Sequence, residues 1–201
     1  MFRNLSTLLA TALFTTASFA AVPSGSPAPA FSGTDALSGK QISLDQFKGK
    51  IVVLEWNNFE CPFVHKFYDS GTMQKLQKSA TADGIVWVTI NSSAEGKEGY
   101  LKDNATAKAA VVEHHGNESY FLRDPAGIIG HAYGAKSTPT MFVIDKTGTL
   151  VYQGAIDSIP TPDPKDIPKA TNYVTETLKS LKDGTPIKTA TTQSYGCFVK
   201  Y

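Results

Sequence analysis

The chain holds two thiols, Cys61 and Cys197, and their surroundings define the chemistry to consider. Cys61 follows an apolar, β-branched run at residues 51–57 (IVVLEWN) and stands directly before Pro62. Beyond it, Phe63, Val64, Phe67, Tyr68 and Leu76 fall on one helical face. A cysteine between a buried strand and a helix start meets unpaired amides and the positive end of the helix dipole. Both favour the thiolate, the attacking form of sulfur. Pro62 suits the first helical position, where a missing amide costs nothing. Glu60 opposes ionisation of its neighbour, and His65 and Lys66 offset it. Cys61 is therefore read as a nucleophile, against the plainer reading of a small buried hydrophobe.

Cys197 lies in a C-terminal stretch rich in Thr, Gly, Pro, Ser and Gln, with little apolar periodicity, which is expected to be extended or mobile. The fourteen steps from Asp183 to Cys197 span up to roughly 45–50 Å at ~3.3–3.6 Å each. That exceeds the diameter of a small domain, so Cys197 can reach Cys61. A bridge between them has two readings. A permanent staple closing so long a loop contributes about 4–5 kcal/mol by chain entropy. A cycling bridge is favoured here because Cys61 occupies an activating position. Tyr195, Phe198 and Tyr201 are expected to dock the tail by apolar contact. As a metal alternative, Cys61 and His65 are four apart on one helix face, a spacing able to hold a soft ion, with His114, His115 or His131 as further ligands. Otherwise no cofactor is expected.

The elements that must position these residues alternate in type. Residues 51–57 and 85–91 (IVWVTIN) predict buried strands. A helix is expected over 62–80 with an irregularity at Ser70-Gly71, and another over 99–115, stopped at Gly116. A short strand at 119–122 and a short helix at 125–133 follow. Residues 140–145 (TMFVID), a Lys-Thr-Gly turn and residues 150–154 read as an antiparallel hairpin. A Pro-rich crossing at 159–168 leads to a final helix over 169–182, closed by Asp183-Gly184. The class is α/β with a central mixed sheet flanked by helices.

The ends and composition bound the setting. Arg3, an apolar stretch at 5–19 and small residues at Ser18 and Ala20 read as a cleaved secretory signal over 1–20. Residues 21–30 read as a flexible leader, 31–183 as one domain and 184–201 as the Cys197-bearing tail. The protein is expected to be exported, periplasmic or secreted, without a membrane span in its mature form. A net charge of +1 offers no electrostatic case for nucleic acid or anionic membrane.

These residues resemble the redoxin branch of the thioredoxin superfamily. The resemblance is carried by GKQISL at 39–44, FKGKIVVL at 47–54, Trp56, Cys61-Pro62-Phe63-Val64, Thr138-Pro139-Thr140 and FVID at 142–145. Together with Asn91-Ser92-Ser93 and Tyr195-Gly196-Cys197, they are similar to the peroxiredoxin-like thioredoxin-family proteins. The resemblance implies a thioredoxin-like fold, a cis proline at Pro139 and a redox-active Cys61 resolved by Cys197. It further implies a substrate-binding surface at Thr138, Pro139 and Pro62, where the Thr138 backbone pairs with an extended substrate strand. Trp56 and Phe59 are expected to form its apolar rim. The implied partners are protein thiols or disulfides, or peroxide, together with a thiol reductant or oxidant protein. Two departures bear on activity. Val64 stands where thioredoxins carry their second cysteine. Leu54 and Asn58 stand where peroxiredoxins carry the Pro and Thr of Pro-x-x-x-Thr-x-x-Cys. Arg123 is the one arginine outside the signal. Disulfide exchange is therefore expected ahead of peroxide reduction, with a copper-binding or non-catalytic thioredoxin-fold binding module as the second alternative.

Overall fold

The computed structural model describes residues 22–201, so the expected signal lies outside the described residues. Five strands form the central sheet: β3 (Val52–Trp56), β4 (Val86–Asn91), β5 (Tyr120–Arg123), β7 (Thr140–Ile144) and β8 (Leu150–Gly154), in the order β5-β4-β3-β7-β8. β3 pairs in parallel with β4, and β4 with β5, whereas β7 runs antiparallel to both β3 and β8. The sheet is therefore mixed, as expected. Two small ladders flank it. β1 (Ser32–Thr34) pairs with β2 (Gln41–Ser43), and β6 (Ser137–Thr138) pairs with β9 (Cys197–Phe198).

Strand alternation sends side chains to two packed faces. One face carries Val53, Trp87, Phe121, Met141, Val143 and Tyr152 beneath α1 (Pro62–Tyr68), α2 (Thr72–Ala82), α3 (Asn104–Glu113) and α5 (Tyr173–Asp183). The other carries Leu54, Trp56, Val88, Ile90 and Phe142, covered by α4 (Ile128–Tyr133) and by Phe31, Ile42 and Phe47. The irregularity expected at Ser70-Gly71 is a full break. Gly71 takes a left-handed φ of 70° and separates α1 from α2. The helix expected over 99–115 starts later, at Asp103, whose carboxylate caps it by accepting from Thr106 N at 2.7 Å.

Both terminal segments are held by backbone hydrogen bonds. In the leader, Gly25 N donates to Leu150 O (2.7 Å), Ala28 N to Gly148 O (2.9 Å) and Leu150 N to Ser26 O (2.9 Å). The backbone groups of this stretch thus find partners along the outer edge of the hairpin. The C-terminal stretch is extended, as expected, but it is held: Gln153 N donates to Ala190 O and Thr192 N to Gln153 O before the chain reaches β9. Low apolar content did not leave these segments loose because exposed sheet edges satisfied their amides.

Candidate active site

Cys61 is the N-cap of α1, with Pro62 at the first helical position. Its carbonyl accepts from Val64 N (2.9 Å) and His65 N (3.0 Å), which fixes the turn from β3 into the helix. The preceding loop is set by Asn58, whose Oδ1 accepts from Glu60 N (2.9 Å) and whose Nδ2 donates to Glu98 O (3.4 Å). Asn58 thus braces the loop from the position of the missing threonine. The Cys61 side chain is wholly buried, and its thiol donates to Thr138 O at 3.2 Å. The Thr138-Pro139 peptide bond is cis.

The chain's own C-terminus meets this pair. In the β6–β9 ladder, Thr138 is registered opposite Cys197 and Ser137 opposite Phe198. Both cysteines are free thiols. Burial, hydrogen bonding to Cys61 and the charge of Cys61 push the Cys197 thiol up to about 12. Cys197 therefore holds its proton at neutral pH. Gly196 passes so close that a Cβ there would lie 2.0 Å from Thr138 O.

The tail is fastened by a buried polar group. Lys66 Nζ, on α1, donates to Asp157 Oδ2 (2.9 Å), Ile159 O (2.9 Å) and Tyr195 OH (3.4 Å), while Tyr195 OH donates to Asp157 Oδ1. Lys66 and Asp157 are both buried, and each compensates the other's charge. The Tyr195 ring packs edge-on against Phe63 at 5.8 Å. Past Cys197, Val199 N donates to Lys136 O (3.0 Å), Ala94 N donates to Lys200 O (2.8 Å) and Tyr201 stacks on His131.

The other expected site residues fall elsewhere. Trp56 is no rim residue: it is fully buried on the sheet face opposite Cys61, with Nε1 donating to Ser92 Oγ (3.1 Å). Period-two alternation along β3 puts it there. Phe59 is on the Cys61 face but nearly buried, stacked on His114 with ring centroids 4.2 Å apart. His65 turns its ring to Asp69 (3.1 Å), and the described residues contain no group of three or more His, Cys, Asp or Glu able to hold a metal ion. The Arg123 guanidinium donates to Leu101 O (2.6 Å) and Lys102 O (2.8 Å).

Sequence reasoning passed over Asp157 and Glu55, and read Lys66 only as a charge beside Cys61, not as a buried partner of Asp157. Glu55 is wholly buried on the Cys61 face and accepts from Tyr68 OH (2.9 Å), Trp87 Nε1 (2.9 Å), Asn57 Nδ2 (3.1 Å) and Gln77 Nε2 (3.1 Å). Burial raises its carboxyl above the usual range in spite of those bonds. A lone glutamate inside an apolar strand was the available signal.

The Redoxin family model matches residues 23–173. The chain belongs to the redoxin family. No curated protein sequence matches it. Among solved structures it is similar to a hypothetical protein from Sinorhizobium meliloti 1021, at 23% identity and a TM-score of 0.76, covering 90% of this chain and 96% of that one. An uncharacterized conserved protein from Geobacillus kaustophilus gives 24% identity and a TM-score of 0.73, covering 89% and 92%. The thioredoxin domain of a thiol-disulfide oxidoreductase from Bacteroides vulgatus gives 22% and 0.52, covering 66% and 89%. The redoxin's fold is thioredoxin-like, a central mixed sheet between helices.

Proposed function

We propose that this redoxin is an exported thiol–disulfide oxidoreductase with Cys61 as nucleophile and Cys197 as resolving thiol. The observation that carries the reading is the meeting of two free thiols at one carbonyl, Thr138 O, with Cys61 bonded to it and Cys197 registered opposite it. The Cys61 thiolate attacks one sulfur of a substrate disulfide, forms a mixed disulfide and releases the other sulfur as a thiolate, which takes a proton. Cys197 then loses its proton, attacks Cys61 Sγ and releases the second substrate thiol. The substrate gains two electrons and two protons, and the Cys61–Cys197 bridge is later reduced by an external dithiol protein. The same steps in reverse oxidise a substrate dithiol.

The shape of the surroundings supports a polypeptide substrate. Grooves of about 510 and 750 Å3 run along α5, and neither is lined by a cysteine. The thiol site is instead a strand edge beside a cis proline, which suits an extended chain. The N-terminal charged, apolar and small-residue pattern supports export to an oxidising compartment. Peroxide reduction is disfavoured because Asn58 stands in place of the threonine hydroxyl and braces the loop through Glu98 O, and Arg123 turns Nε and Nη2 to the Leu101 and Lys102 carbonyls.

Replacing Cys197 with Ser tests the assignment. Mixed disulfides with substrate proteins should then accumulate on Cys61, and their absence from an extracytoplasmic extract carrying the variant would count against the reading.

A further inference from the structure

The nucleophile just assigned is closed to solvent, and the segment lying over it belongs to the same chain. Cys61 has no exposed surface. Gly196 runs against Thr138 O and Phe63 Cβ, which lie 2.0 and 3.5 Å from a Cβ built on it. Thr138 O accepts from the Cys61 thiol, and Phe63 follows Cys61 by two residues in α1. β9 also takes up the edge of Ser137–Thr138 with which an extended substrate would pair.

The hold on this segment is mostly polar and easily exchanged. β9 is two residues long, and Phe198 within it is 80% exposed, so it contributes little apolar burial. The strongest fixture is remote from the sulfur: the Tyr195 hydroxyl on the buried Lys66–Asp157 pair. A hydrogen bond to a buried charge outweighs one between neutral groups. A two-residue ladder, held by the Tyr195 clasp before it and by the half-exposed Lys200–Glu98 pair (2.9 Å) after it, is the kind of local structure that opens without global unfolding.

We propose that residues 195–198 are a displaceable cover over Cys61, occupying the substrate's strand position, and that Tyr195 on Asp157–Lys66 is the latch setting how often it opens. The proposal rests on the oxidoreductase reading only in taking the displacing group to be an extended polypeptide. The tail thus acts twice: it excludes a substrate while latched, and after displacement it returns Cys197 to resolve the mixed disulfide. Tyr195 and Gly196 are positioning residues in this scheme, since neither touches the reacting sulfurs in a chemical step.

The test is the rate at which iodoacetamide modifies Cys61 in the reduced full-length protein, resolved from Cys197 by peptide mass. Wild type is compared with Gly196→Ala, which forces a Cβ into Thr138 O at a φ of +126°, and with Tyr195→Phe, which removes only the latch hydroxyl. Cooperative thermal unfolding confirms that each variant is folded. Cys61 should react at least tenfold faster in Gly196→Ala and severalfold faster in Tyr195→Phe. Equal Cys61 rates in all three proteins overturn the cover, and so does a rise confined to Cys197. Exchange with a glutathione-capped protein separates the two ideas. If it rises in step with alkylation, cover and oxidoreductase reading both stand. If alkylation rises and exchange stays at background, the cover stands and the oxidoreductase reading falls.

Discussion

The two faces of the central sheet are packed by different means. On the face under α4, Trp56, Tyr133 and Phe142 close against one another with ring centroids 5.0–5.5 Å apart. The buried Asp124 at its margin is satisfied by Ile129 N, Gly130 N and the Ser92 hydroxyl. The face under α1 and α5 holds Cys61 and buries Glu55, Lys66 and Glu118 as well. Apolar packing gives stability at no electrostatic cost, whereas each buried ionisable group must be compensated or held neutral. Polar burial is concentrated on the face that bears the thiol, and Lys66–Asp157 shows what it achieves there: it ties the Cys197-bearing tail to the helix that Cys61 caps.

That contrast can be broken most severely at the sulfur. Cys61→Ser should reduce exchange with a disulfide substrate to background while leaving the unfolding midpoint in urea nearly unchanged. Trp56→Ala, on the opposite face, should do the reverse. It should cost about 3–5 kcal/mol of stability without moving the thiol–disulfide midpoint of the folded protein.

Asp157→Ala should cost a similar amount, about 3–5 kcal/mol, because it strands the Lys66 ammonium, and it should loosen the tail too. Replacing both members, Lys66→Met with Asp157→Leu, should recover most of that stability and none of the tail's attachment. Urea unfolding read beside Cys197 alkylation checks both halves. A double variant that restored the tail would place the hold in apolar contact.

The smallest expected effect is at Glu118, whose two carboxyl oxygens are buried without partners. Desolvation raises this carboxyl from 4.5 to about 8. The folded protein therefore binds a proton that the unfolded chain releases between those values, so its contribution is complete below about pH 4.5 and lost as pH rises to about 8. Glu118→Gln should flatten the fall in stability across that window, with a gain on the order of 1–2 kcal/mol at pH 9. An unchanged slope between pH 5 and pH 9 would mean that other groups govern it.

Much of this arrangement was legible in the chain. β3 and β4 announced themselves as β-branched runs, the hairpin by its Lys-Thr-Gly turn and the α1–α2 break by Ser70-Gly71, because each is a local signal. The thiol pair was legible because cysteines are scarce. The latch was not. Lys66 lies 91 residues from Asp157 and 129 from Tyr195, so the sequence offered it as a charge near Cys61 and gave no sign of the partners that packing brings to it. Trp56 was misplaced for a different reason. Proximity to Cys61 in sequence suggested a rim, although the period of the strand already sends Leu54 and Trp56 to one face and Val53 and Glu55 to the other.

The central claim is that Cys61 and Cys197 form a working redox couple. A titration of the protein against thiol–disulfide buffers, following the Cys61–Cys197 linkage by mass, tests it directly. The account predicts a midpoint between roughly −120 and −270 mV, the range of thiol–disulfide catalysts. A midpoint below about −300 mV would mark a permanent staple, and failure to form the linkage at all would leave Cys61 without its resolving partner; either result would contradict the account.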